Sequence, residues 1–198
     1  MNNSERIHSG QLYDPMQVES ELDQQSFKKR LNQYNLQKMS GEDVDLESAN
    51  CFKSLGQNVY FEPPVYANWG GRHVSIGDRV YINFNCTFVD DTFIDIGSYT
   101  MVGPNVTFAT AAHPLNADDR KQGLQYNLPI KVGENVWIGA NAVILPGVTI
   151  GENAVIGAGS VVNKDIPANT VAVGVPCRPI KQIPEHSEEE FDKNGRKI

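Results

Sequence analysis

From Val132 onward an aliphatic residue returns at every sixth position: Val132, Ile138, Ile144, Ile150, Ile156 and Val162. Gly133, Gly139, Gly151 and Gly157 follow four of these directly, and a small or β-branched residue stands two places before: Val136, Ala142, Val148, Ala154 and Ser160. The same spacing occurs upstream at Ile76, Ile82 and Phe88, and again at Ile96, Val102 and Phe108. A period of six fits neither an amphipathic helix nor a plain strand array. Each hexad can supply a short strand and a turn, with the aliphatic residue and the small residue two places earlier both pointing inward. One such strand cannot bury its apolar side alone, so successive coils must stack around a continuous aliphatic core. The pattern predicts a parallel β-helix, with each Gly relieving crowding where the chain turns a corner.

Two interruptions carry information. Between Phe88 and Ile96 the interval is eight, so about two residues bulge outward around Asp90–Phe93. Between Phe108 and Val132 it is twenty-four, a multiple of six, so the phase survives an insertion. That insertion, residues 109–129, is polar, carries Gly123 and two prolines, and reads as a loop extruded from the coil. Long loops inside compact domains are usually functional or disordered.

Ahead of the coil, Val18, Leu22, Phe27, Leu31, Tyr34 and Met39 lie at helical spacing and end at Ser40-Gly41, a helix stop. A second short helix is expected from about Asp45 to Leu55, ending at Gly56. The chain divides into an N-terminal helical arm or lid (1–57), a β-helix (58–184) and a polar tail (185–198). A solitary coil end exposes backbone edges, and the helical arm would cover them.

Composition narrows the function classes. With 40% hydrophobic and 21% charged residues, the 198-residue chain is ordinary for a soluble globular protein. A net charge of -7 argues against non-specific nucleic-acid binding, while leaving room for a local basic pocket. The first forty residues hold no apolar run of signal-peptide or membrane-span character, which points to a cytoplasmic protein without a membrane partner. Cys51, Cys86 and Cys177 suit reduced, buried thiols better than a disulfide framework or metal site.

Of His8, His73, His113 and His186, only His113 sits where the long loop leaves a coil strand, a position that faces a cleft. Histidine is the side-chain type whose unperturbed pKa suits a general base near neutrality. On chemistry alone, a hydrogen-bonded structural histidine is the commoner reading.

The segments NVWIGANAVILPGVTIGENAVIGAGSVVNKDIPANTVAVGVPCRPIK, FEPPVYANWG, NFNCTFVDD, GPNVTFATAAHPL and ERIHSGQLYDP resemble the maltose and galactoside O-acetyltransferases, and the resemblance covers all but the tail. It implies a left-handed parallel β-helix, a homotrimer with active sites between neighbouring subunits, acetyl-CoA as donor, a sugar hydroxyl as acceptor and no metal. It implies that His113 deprotonates the acceptor and then protonates the departing thiolate, in a direct transfer without an acyl-enzyme. Asn83 matches the position that stabilises the oxyanion, and Asp91, Asn68, Asp14 and Gln125 match or adjoin acceptor contacts. For coenzyme A it implies Trp137, Ala140, Ala158 and Asn163 along the coil edge, with Lys164, Arg178 and Lys181 meeting the phosphates. The residues also admit plainer roles: Asn83 stacking at a turn, Asp91 solvated, the cations on an open surface, Trp137 packing in an interface. Rival functions are transfer to a non-sugar acceptor, a non-catalytic β-helix scaffold, and a zinc hydratase. The last needs about three converging histidines, whereas only His73 and His113 lie in the coil region.

Overall fold

The hexads close into three parallel sheets wrapped around one core in the computed structural model of the chain, which describes residues 1–18 and 24–184. The first face contains Ser54–Leu55, Val74–Ile76, Ile94–Ile96, Ile130–Val132 and Thr149–Ile150. The second contains Tyr60–Phe61, Tyr81–Ile82, Met101–Val102, Trp137–Ile138, Val155–Ile156 and Thr170–Val173. The third contains Tyr66–Ala67, Thr87–Val89, Thr107–Ala109, Val143–Ile144 and Val161–Val162. A strand thus recurs on each face once per coil, the arrangement the period of six requires.

Parallel register stacks like on like. Phe61, Ile82, Val102, Ile138, Ile156 and Ala172 form one inward column, each at most 1% exposed. On the third face Phe88 and Phe108 stack at 5.1 Å between ring centres with planes 8° apart. The small residues two places earlier are buried as expected, with Val136, Ala142, Ala154 and Ser160 at 0%.

The glycines relieve crowding as expected, but the bend itself belongs to other residues. Asn58, Asn85, Asn105, Asn135, Asn141, Asn153 and Asn169 turn the corners, with φ between 53° and 60°, a conformation Asn tolerates better than most residues. Asn135 donates to Asn153, and Asn153 to Asn169, at 2.9 Å each, so their amides form a ladder. The glycines after the aliphatic residues are instead required by coil stacking. A Cβ on Gly139 would stand 2.5 Å from the Ala158 nitrogen, and one on Gly97 would stand 2.5 Å from the Gly133 carbonyl oxygen.

The arm also departs from expectation in detail. Its main helix, α1, runs Gln24–Met39; Val18 is extended, and Leu22 lies outside the described residues. Leu31 and Tyr34 enter the core, whereas Met39 stays exposed. Asn35 donates to the Val65 carbonyl at 2.7 Å and accepts the Val65 N–H at 3.0 Å, covering backbone of the first coil. The second helix is only Leu46–Ala49, because Ser54–Leu55 already pairs with Ser75–Ile76 as coil.

The Asp90–Phe93 segment does not bulge into solvent. Asp90 and Thr92 are 0% and 1% exposed. His8 of the arm lies over them, its Nδ1 2.9 Å from Thr92 Oγ1 and its ring stacked on Phe93 at 4.5 Å. Nor is the 109–129 insertion structureless: Ala111–Ala112 pairs antiparallel with Tyr126–Asn127, and a helix, Ala117–Lys121, caps on Asn116. At the other end Arg178–Gln182 folds back antiparallel on Thr170–Val173. Cys51, Cys86 and Cys177 are all buried free thiols. The expected tail, 185–198, and His186 lie outside the described residues.

Candidate active site

Two edges of the coil carry the candidate residues. The edge after the third face receives Asn68, Asp91 and His113 from three successive coils. Asn68 and Asp91 are hydrogen-bonded to one another there, and His113 stands at the root of the hairpin that leaves the next coil. The edge after the second face receives Asn83, and then Ala140 and Ala158 from later coils.

The extruded hairpin positions His113. Its imidazole Nδ1 lies 2.8 Å from the backbone carbonyl of Leu124, on the returning limb. A carbonyl oxygen only accepts, so Nδ1 carries the proton and donates it, leaving Nε2 with its lone pair. The ring is exposed, so that nitrogen is open to a reactant.

Asp91 is 7% exposed and collects side-chain donors. Asn68 Nδ2 donates to its Oδ2 at 2.9 Å, and Gln125 Nε2 and Trp69 Nε1 reach its Oδ1 at 3.2 and 3.4 Å. Gln125 Nε2 also lies 2.8 Å from the Tyr13 hydroxyl and 2.8 Å from Asn127 Oδ1. Asn127 Nδ2 donates to the Ile7 carbonyl at 2.9 Å and to the Tyr13 hydroxyl at 2.8 Å. The solvated-turn reading of Asp91 therefore does not hold, because the arm and hairpin cover it. Burial pushes the Tyr13 phenol up to about 12, the amide donors from Asn127 and Gln125 opposing it and the Asp91 charge reinforcing it.

Asp14 stands outside this network. Its carboxylate accepts from the Met16 N–H at 2.9 Å and from Gln17 Nε2 at 2.7 Å, capping the turn Pro15–Gln17. The adjacent Tyr13 enters the cluster instead. Tyr13, Trp69 and Asn127 were not singled out from the sequence, although Tyr13 and Trp69 fall inside LYDP and ANWGG.

Behind Asp91 lies a second, buried polar group. Asp90 accepts the Trp69 and Gly71 N–H groups at 2.6 and 3.1 Å, and His73 Nδ1 donates to its carbonyl at 2.6 Å. Burial pushes the Asp90 carboxyl up to about 7, against the pull of those backbone donors. Burial likewise lowers His73, and lowers His8 to about 4 with help from the His73, Lys53 and Arg72 charges.

On the second edge, Asn83 Oδ1 accepts the Phe84 N–H at 2.8 Å, so its donating amide nitrogen is the end free to meet a ligand. Ala140 and Ala158 stack on adjoining coils, Gly159 N–H donating to the Ala140 carbonyl at 2.8 Å. Trp137 is 55% exposed on the second face, in register with Met101 and Val155. Asn163 and Lys164 follow the last strand of the third face, and Arg178 Nη1 donates to Asn163 Oδ1 at 3.0 Å. Lys181 lies opposite Val171 on the terminal strand. Among the described residues, no three His, Cys, Asp or Glu side chains group as a metal would require. No described helix is long and apolar enough to cross a membrane.

Together, coil and edges define a hexapeptide-repeat transferase, and the family model of bacterial transferase hexapeptide (six repeats) matches residues 129–164. Galactoside O-acetyltransferase of Lactococcus lactis is 43% identical over 98% of this chain and 93% of its own length. That of Escherichia coli is 41% identical over 96% and 94%. Among solved structures, a galactoside acetyltransferase in complex with coenzyme A superposes with a TM-score of 0.87 at 40% identity, covering 100% of this chain and 98% of that one. A maltose O-acetyltransferase from Clostridium difficile superposes at 0.84 with 39% identity, covering 93% and 99%. The chain belongs to the maltose/galactoside O-acetyltransferase family and is an acetyl-CoA-dependent O-acetyltransferase.

Proposed function

We propose that the enzyme moves the acetyl group of acetyl-CoA directly to a hydroxyl of a sugar, with His113 as general base, at sites shared between neighbouring subunits of a homotrimer. The observation that carries the base assignment is the His113–Leu124 hydrogen bond, which leaves Nε2 to take a proton. In the step, Nε2 accepts the hydroxyl proton as that oxygen bonds to the thioester carbonyl carbon. The tetrahedral oxyanion is met by the Asn83 amide N–H. Collapse re-forms the carbonyl, breaks the carbon–sulfur bond and passes the proton from Nε2 to the departing thiolate. No acyl-enzyme forms.

Asp91 accepts from Asn68, Trp69 and Gln125, three of the roughly four donors a carboxylate can take, so the remaining lone pair is what it offers to an acceptor hydroxyl; the names of the galactoside and maltose enzymes support a sugar there. Small Ala140 and Ala158 admit the pantetheine arm to the coil backbone. Asn163, Lys164, Arg178 and Lys181 meet the phosphates. Asp14 serves the acceptor pocket by shaping the turn beside Tyr13.

The two edges argue for a shared site. A base and an oxyanion donor must both stand within about 3 Å of the reacting groups. His113 and Asn83 follow different faces, with a strand of the third face between them in each coil. A second copy would bring its own second edge to the first copy's His113. An outward column suits that contact: exposed Tyr60, Met101 and Trp137 stand in register with half-buried Tyr81, the tyrosine rings stacked at 6.0 Å. Trp137 then packs between subunits beside the donor.

The test is to incubate purified protein with acetyl-CoA and a panel of sugars, other alcohols and amines, following free thiol release. Turnover with sugars and a trimeric mass in solution are expected. Preference for an amine would replace the acceptor class, and no turnover together with no acetyl-CoA binding would favour a scaffold. A fully active monomer would remove the shared site.

A further inference from the structure

Tyr13 meets the returning limb of the extruded hairpin twice, although 112 residues separate it from Gln125. Along the backbone, Tyr13 N–H donates to the Gln125 carbonyl at 2.9 Å, and Gln125 N–H donates to the Tyr13 carbonyl at 3.0 Å. Through the side chain, the phenol oxygen lies 2.8 Å from both Gln125 Nε2 and Asn127 Nδ2. The ring itself is 2% exposed and packs with Ile7 and Trp69.

The position of this clasp matters. Leu124, whose carbonyl receives the His113 proton, immediately precedes the clasped Gln125. Without the arm, the hairpin is a two-residue ladder, Ala111–Ala112 on Tyr126–Asn127, and isolated ladders that short are marginal in water. Gln125 Nε2 has two protons but three acceptors in reach: Tyr13, Asn127 and Asp91. The phenol therefore helps decide how the amide addresses Asp91.

We infer that Tyr13 is a positioning residue: the N-terminal arm acts through it to hold the Leu124 carbonyl on His113 and the Gln125 amide on Asp91. The clasp links the arm to both acceptor-side groups and touches none of the donor edge. This inference rests on the reading of His113 as base.

Two variants test it. Tyr13→Phe keeps the ring and backbone bridge and removes only the oxygen; the expected result is an acceptor KM raised about fivefold to tenfold, with the acetyl-CoA KM unchanged. Tyr13→Ala also removes the packing that holds the bridge. Its expected result is a kcat lowered about tenfold or more, with the 15N signals of His113 moving from the Nδ1–H form toward a tautomer mixture. Wild-type acceptor KM and kcat in folded variants would overturn the inference, as would an equal rise in both KM values. His113→Ala in the same assay separates the two readings. If that variant turns over normally, the base assignment fails, while the 15N signals in Tyr13→Ala still report whether the clasp sets the ring.

Discussion

His113 and Leu124 are joined by a side chain-to-backbone hydrogen bond of 2.8 Å across the extruded hairpin. A backbone carbonyl is a neutral partner that selects one tautomer without adding charge. The ring is thus aimed by a main-chain group that residue identity does not disclose.

Replacing His113 with Gln should lower kcat by about 10²- to 10⁴-fold, the usual worth of a positioned general base. Acetyl-CoA binding and thermal stability should stay near wild type, because the exposed ring makes one hydrogen bond and no core contact. Calorimetric titration with acetyl-CoA beside a thiol-release assay checks both halves.

Asp91→Asn exchanges a carboxylate that accepts from Asn68, Trp69 and Gln125 for an amide with one accepting atom. One donor would then face an N–H group in a buried site, at a cost of about 1–3 kcal/mol. The acceptor KM should rise at least tenfold while the acetyl-CoA KM holds, measured by varying each substrate in turn. Equal effects on both would remove Asp91 from the acceptor side.

A methyl group on Gly139 has no room against the Ala158 nitrogen. Gly139→Ala should therefore force the coils apart locally and destabilise the fold by about 1–3 kcal/mol, read as a lower melting temperature. Because Ala140 and Ala158 flank the strain, the acetyl-CoA KM should rise with it. A Gly123→Ala control, at the loop position with open space but φ 77°, should leave that KM alone.

Acid should loosen the arm. His8 falls from 6.5 to about 4 on folding, so between these values the unfolded chain binds more protons and stability drops as pH falls. Asp90 has the opposite sign: raised to about 7, it favours folding most in acid and loses that contribution as pH rises through its folded value. His8→Phe keeps the aromatic contact with Phe93 and leaves Asp90 in place, isolating the histidine. The melting temperature of wild type relative to this variant should decline from about pH 7.5 to about pH 5. A constant difference would reject the assignment.

The coil was open to reading because every hexad reports its own inward positions. What spacing alone could not separate was the origin of the glycines: a residue needed at a bend and one needed against the next coil recur with the same period. The bend itself belongs to Asn135, Asn153 and their counterparts. In the site, Asn68 and Gln125 both hydrogen-bond Asp91, and His113 follows a strand that leaves the coil at the same edge. Tyr13 and Asn127 escaped notice because each lies in a non-periodic segment and acts on a partner 112 or 114 residues away. The short helix after Asp45 was overestimated because Phe52 and Leu55 fit either periodicity until Ser54–Leu55 finds its partner strand.

The hairpin of residues 111–127 is held by a two-residue ladder and the Tyr13 clasp, while the strands on either side of it, Thr107–Ala109 and Ile130–Val132, keep register with the neighbouring coils. The coil register therefore does not depend on the hairpin tip, which lies outside the clasped residues Gln125 and Asn127. An exchange of the stretch between Pro114 and Gly123 amounts to a graft at a fixed gate, with His113 and its carbonyl retained on the posts. On the proposed reading of the site, such a graft would alter acceptor preference while the donor half stands still.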